Sequence, residues 1–191
     1  FSKRVTFSPA LFEPYFVKYE NWRDNALQLA ENYLDKGEDI LVLTLDFTRF
    51  YYSLDISEDF MRELLNPIIA AISNEEEKNL LKRINDFIFL VISHYAKEYS
   101  PYCSPESDSK RNLLPIGFLP SNVLANYALK EFDKAVINNW KPLYFGRYVD
   151  DILIVEKISS VHPHYTSIKS GKASIDDVIS PYLVEEGTDD D

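Results

Sequence analysis

Only one cysteine, Cys103, occurs in the 191 residues. An internal disulfide is therefore excluded, and the composition fits a reducing compartment. No apolar run approaches the roughly 18 residues of a membrane span, and no charged-then-apolar leader opens the chain. These absences predict a soluble, cytoplasmic protein with no membrane partner. Basic residues are also short: 20 Lys and Arg stand against 31 Asp and Glu, for a net charge of −11. Phosphate-binding surfaces are usually basic, so this balance argues against a complete nucleic-acid enzyme. The distribution softens the objection, because residues 173–191 hold seven acids and no Lys or Arg, which leaves −4 for the rest. The chain begins at Phe1 rather than Met and ends in that acidic tail. It reads as a piece of something longer, whose other parts would carry the missing basic surface.

Hydrophobic residues make up 46% of the chain, enough for one domain with a sizeable core. Asn21 to Lys36 has apolar residues at Trp22, Ala26, Leu29, Ala30 and Tyr33, a helical spacing stopped by Gly37. Ile40 to Phe47 is a nearly unbroken apolar run, the pattern of a strand buried on both faces, with Asp46 at its end. Ser57 to Ser73 reads as a helix capped by Ser57 and broken or kinked at Pro67. Asn74 and Glu77 form a capping pair for the helix that follows, which carries Leu80, Leu81, Ile84, Phe87, Ile88, Val91 and Tyr95. Ser100 to Asn112 is a polar, Pro/Ser-rich loop, and Cys103 within it has no basic setting and no assigned chemistry. Ser121 to Asn139 reads as helix, and Leu143 to Lys157 as two short strands with an acidic pair at their turn. Strands and helices mix without regular alternation, which predicts an α+β fold with a small antiparallel sheet backed by helices.

That acidic pair lies in Tyr148-Val149-Asp150-Asp151, between apolar runs. Two adjacent carboxylates repel each other and resist burial, so they need either solvent or cations. A hairpin tip offers solvent, and Asp is a favoured turn residue. A third carboxylate, Asp46, also ends an apolar strand; if the strand units lie side by side, all three converge. Oxygen ligands without His or Cys suit hard divalent cations, magnesium above all. Two such ions about 3.5–4 Å apart can activate an attacking hydroxyl and stabilise a departing pyrophosphate. His162 and His164 have no third ligand nearby and read as exposed side chains rather than a zinc site.

Three stretches together resemble the palm of a reverse transcriptase. Tyr148 to Asp151 resembles the YxDD signature. DFTRFYYSLD, from Asp46 to Asp55, resembles the first palm motif, and LPIGFLPSNVLANYAL, from Leu114 to Leu129, the Pro-x-Gly motif between them. The resemblance implies a polymerase palm over 1–157 with remnants of fingers, followed by an acidic, unassigned segment over 158–191. It implies catalysis by Asp46, Asp150 and Asp151 with two Mg2+ ions, or Mn2+ in their place, and a further metal-binding oxygen from the carbonyl of Phe47. Tyr51 would act as an aromatic gate against the ribose 2′-hydroxyl, although the residue could equally be core. Gly117, Phe47 and Arg49 would meet the incoming nucleotide, Arg49 alternatively being a solvated cation. Ile116, Ser121 and Tyr148 would face template or primer, while Ser121 and Asn126 could equally be an N-cap and a buried helix polar group. Lys169 and Lys172 near Gly171 are candidates for the family's lysine motif, a polar loop being the simpler reading.

Ile116 stands where many reverse transcriptases carry Gln. The Pro-Ile-Gly form is similar to bacterial abortive-infection and defence-associated reverse transcriptases, which implies antiviral defence. The implied partners are an RNA template or non-coding RNA, a DNA product or primer, dNTPs, and companion defence proteins or further copies of the chain. The implied function is an RNA-directed or untemplated DNA polymerase module. The alternatives are a palm that makes RNA or a cyclic nucleotide, and a non-catalytic nucleic-acid-binding scaffold. No thumb or upstream fingers motif is found, so this segment alone is expected to be inactive.

Overall fold

The computed structural model describes residues 15–103 and 112–182. The chain has an α+β fold: helices accompany one three-stranded antiparallel sheet. It divides into two compact units, one formed by the chain up to Asp46 together with Phe132 onward, the other by Phe47–Glu131.

The first unit is built on strands β1 (Ile40–Asp46), β2 (Tyr144–Tyr148) and β3 (Asp151–Lys157), in the order β1-β3-β2. β3 is central, and its Ile152, Leu153, Ile154 and Val155 are all buried. An unbroken apolar run is what a strand covered on both faces needs. One cover is helix α1 (Tyr15–Leu34), which turns Ala26 and Ala30 toward Leu153 and Val155. Alanines four apart leave a smooth strip, so the helix axis can lie close to the sheet. The other cover is helix α6 (Lys130–Ala135) and the π-helical turn that continues it, Val136–Trp140. Phe132 meets Phe145 edge-on, and Trp140 Nε1 donates to Glu156 across 3.0 Å.

Residues 158–182 pack with this same unit. The Ile158 amide donates to the Asp39 carbonyl, and Lys169 on helix α7 (Tyr165–Lys169) pairs with the Asp39 carboxylate at 2.7 Å. Helix α8 (Ile175–Ile179) starts in a reciprocal capping box between Ser174 and Asp177, and the 3-10 turn after it stacks Tyr182 on Trp140.

The second unit is helical: α2 (Phe50–Ser53), α3 (Glu58–Ala70), α4 (Glu75–Cys103) and α5 (Leu119–Ala128). Ile56, Met61, Ile92, Leu114 and Leu124 form its interior. Ser57 caps α3 as expected, accepting from the Phe60 amide, and Asn74 caps α4 by accepting from the amides of Glu76 and Glu77.

Several expectations are corrected. β1 is an edge strand in which only Leu43 is buried, because β3 takes the central place. α3 continues through Pro67, which forfeits one amide donor without ending the helix. α4 runs on through Cys103 into the expected loop, supported by Tyr95 and Tyr99 stacked one turn apart; 104–111 lie outside the described residues. The single helix expected from Ser121 to Asn139 is three pieces, interrupted at Leu129. His162 and His164 are half-buried rather than exposed: His162 Nδ1 accepts from the His164 amide, and His164 Nδ1 lies 3.6 Å from Asp177.

Candidate functional site

Antiparallel pairing places Asp46, the last residue of β1, directly opposite Asp151, the first residue of β3. Directly opposed residues have Cα atoms about 4.5–5.5 Å apart and turn their side chains to the same face. Tyr148, the last residue of β2, is opposite Asp151 on its other side. One row across the end of the sheet therefore reads Asp46, Asp151, Tyr148. The Tyr148 ring packs edge-on against Tyr19 and tilted against Trp22, both on α1, which identifies this as the α1-covered face.

Asp150 lies in the two-residue turn that joins β2 to β3. Val149, the other turn residue, has φ of +61°, and Asp150 does not share the positive sign. A positive φ at the first central position alone is the II′ hairpin pattern, which normally takes glycine there. A β-branched residue in that conformation is strained.

Asp151 bears the effect of its neighbours. Burial pushes the Asp151 carboxyl above its ordinary range, and the charges of Asp150 and Asp46 add to the shift. Among the described residues, no side-chain cation pairs with any of the three. A divalent cation ligated by oxygen alone is the chemical complement of that set. The described His, Cys, Asp and Glu side chains do not, as they stand, close into a group of three able to hold a metal ion. What the fold supplies is backbone placement of three acids rather than a finished cage.

A carboxyl with a raised folded-state pKa favours folding most at low pH, and that contribution is lost as pH rises through the folded value. Asp151→Asn in metal-free protein should therefore raise stability near pH 7 by up to about 1 kcal/mol, since the site is partly solvated. Chelator-treated protein melted across pH 4–8 should show the gap between wild type and variant shrinking as pH falls. An equal gap at every pH would mean that neither burial nor the neighbouring acids raise the Asp151 carboxyl.

The residues expected to meet nucleotide or template lie in the second unit, except Tyr148 in the first, which also holds Lys169 and Lys172. Phe47 follows Asp46 in the chain, and its ring stacks on Phe50. Tyr51 is half-buried; its hydroxyl donates to Asn122 Oδ1 and its carbonyl accepts from the Leu114 amide. Arg49 is exposed, with φ of +54°. Gly117 has φ of +84°, and a Cβ there would meet no protein atom within 4 Å. Backbone conformation, not crowding inside the protein, accounts for that glycine. Ile116 is 65% exposed. Ser121 is fully buried within α5, whose N-cap is Phe118, and its hydroxyl has no partner among the described residues. Ser121 is thus a buried helix group rather than an N-cap. Asn126 Nδ2 donates to the Asn122 carbonyl one turn back.

Sequence reasoning missed the groups that hold the turn. Arg147 on β2 faces away from Tyr148, and its guanidinium makes a bidentate pair with Asp133, 2.7 Å at each end. Its Nη1 also donates to the Val149 carbonyl at 2.6 Å. A basic residue immediately before an acidic hairpin was the available signal. Asp133 carried none. Compared with family models, with curated proteins and with solved structures, the chain matches none of them.

Proposed function

We propose that this chain is the palm of a nucleotidyltransferase, an RNA-directed or untemplated DNA polymerase module, whose carboxylates Asp46, Asp150 and Asp151 bind magnesium. The observation that carries the reading is the register of Asp46 against Asp151, with Asp150 in the adjoining turn. Residues more than a hundred positions apart meet as the motif order requires. Magnesium bound there would supply positive charge to the attacking hydroxyl and the departing pyrophosphate. The chain's own part is to hold three acids at one end of the sheet, with Asp46 exposed. Tyr148, wedged against Tyr19 and Trp22, fixes the strand end from which the acids project. The Pro-Ile-Gly form favours antiviral defence as the setting.

The deciding experiment incubates the intact protein with magnesium and each dNTP, with and without co-purified RNA, and sequences any product. No nucleotide addition under any of these conditions would remove the polymerase reading. Tyr51 separates a DNA-making palm from one that makes RNA or a cyclic nucleotide. Tyr51→Val should raise ribonucleotide use about tenfold or more relative to deoxynucleotide, read as the ratio of kcat/KM for the two sugars. An unchanged ratio would return Tyr51 to the core.

A further inference from the structure

We propose that Arg147 is a positioning residue for the acidic turn. Anchored on Asp133, its guanidinium grips the Val149 carbonyl and holds the strained hairpin in the one conformation that presents Asp150 and Asp151 beside Asp46. The consequence for metal rests on the function proposed above; the clamp itself does not.

The turn is a costly choice on its own terms. A two-residue hairpin is met most cheaply by Asn-Gly or by Gly at its first position, whereas this one has Val-Asp with Val149 at φ +61°. Strain of this kind persists only where the surroundings over-determine it. Arg147 supplies the determination. Its side chain is 4% exposed and that of Asp133 is 22%, so the pair is shielded from the water that weakens surface ion pairs. Both ends of the carboxylate are engaged, which fixes the guanidinium plane and leaves Nη1 directed at the Val149 oxygen. The anchor sits on α6, which packs on the sheet through Phe132 and Phe145. The turn is therefore tied, through a side chain of its own strand β2, to a second element as well. Lysine can replace the charge but not a planar fork with several donors.

Three variants test this: Arg147→Lys, Asp133→Asn and Val149→Gly, the last two covering the case in which the first does not fold. Two measurements are made on each, hydrogen exchange of the 148–152 peptide and Mn2+ affinity by titration. Arg147→Lys and Asp133→Asn should speed exchange in the turn at least tenfold and weaken Mn2+ binding about 10- to 100-fold, the scale seen when a group that orients a metal ligand is lost. Val149→Gly should weaken Mn2+ binding while easing the backbone, so that its thermal midpoint does not fall. A purely structural ion pair would lower the midpoint of the first two variants and leave the affinity of the folded protein unchanged. Unchanged exchange in Arg147→Lys and Asp133→Asn overturns the clamp. Faster exchange with unchanged Mn2+ affinity overturns the positioning role. Faster exchange in a protein that binds no Mn2+ even as wild type leaves the clamp standing and removes the metal reading instead.

Discussion

If the chain is the proposed polymerase palm, Asp150→Asn should abolish nucleotide addition by the full-length protein while leaving its fold intact. Asparagine matches aspartate in shape and is equally at home in a turn, so the hairpin has no steric reason to rearrange. Asp150 is half-buried, and among the described residues its carboxylate has no cationic partner whose loss would destabilise the protein. One negative charge next to two others disappears, which relieves repulsion on Asp151. Folding should therefore be unchanged or slightly favoured. Catalysis should be lost, because the proposed role of the carboxylate is to hold a divalent ion, and the ion would supply several kcal/mol of charge stabilisation. About 4 kcal/mol corresponds to a factor of roughly 1,000 in rate. Asp46→Asn should behave alike, since Asp46 faces Asp151 across the strand pair. The measurement is single-nucleotide extension beside circular dichroism and a thermal melt. Native-like melting with activity within tenfold of wild type would count decisively against the three acids acting together.

The hairpin was legible because an acidic pair, favoured in turns, sits between two short apolar runs, and β2 and β3 form where they were expected. The α+β class followed from the same pattern. Which apolar run would be central was not legible. Ile40 to Phe47 reads as the strand covered on both faces, yet the central place falls to the strand carrying the apolar run Ile152 to Val155, because strand order is a property of the whole sheet. Helices α7 and α8, five residues each, are too short for a periodic signal, although Ser174 with Asp177 three positions on is a cap that could have been read. The acids were visible because each borders an apolar run. Their register was not, since pairing across more than a hundred residues leaves no local trace. Arg147 and Asp133 belong to the same class: a bond between a strand and a helix has no period.

Gly146 shows what that kind of blindness costs, and Gly146→Ala should destabilise the first unit by about 2–3 kcal/mol. Glycine inside a strand ordinarily weakens it, and alanine would recover roughly 0.5–1 kcal/mol of backbone entropy. Here the added Cβ would sit 2.6 Å from Trp22 Cδ1 and Nε1 and 2.7 Å from the Tyr144 hydroxyl. Neither neighbour can give way cheaply. Tyr144 donates to the Trp22 carbonyl at 2.8 Å, and the Trp22 ring is also packed on Tyr19 and Tyr148. Strain therefore exceeds the entropic gain, and it falls on the seam between α1 and the sheet. Urea unfolding measures the loss, and Trp22→Leu tests the cause: with the indole gone, the alanine should cost less than half as much. Strictly additive losses would mean that the crowding lies elsewhere. The same seam carries Tyr148, which is paired with Asp151 in the sheet. Nucleotide addition by Gly146→Ala should thus fall further than its folded fraction, because displacing Trp22 disturbs the strand end from which the carboxylates project.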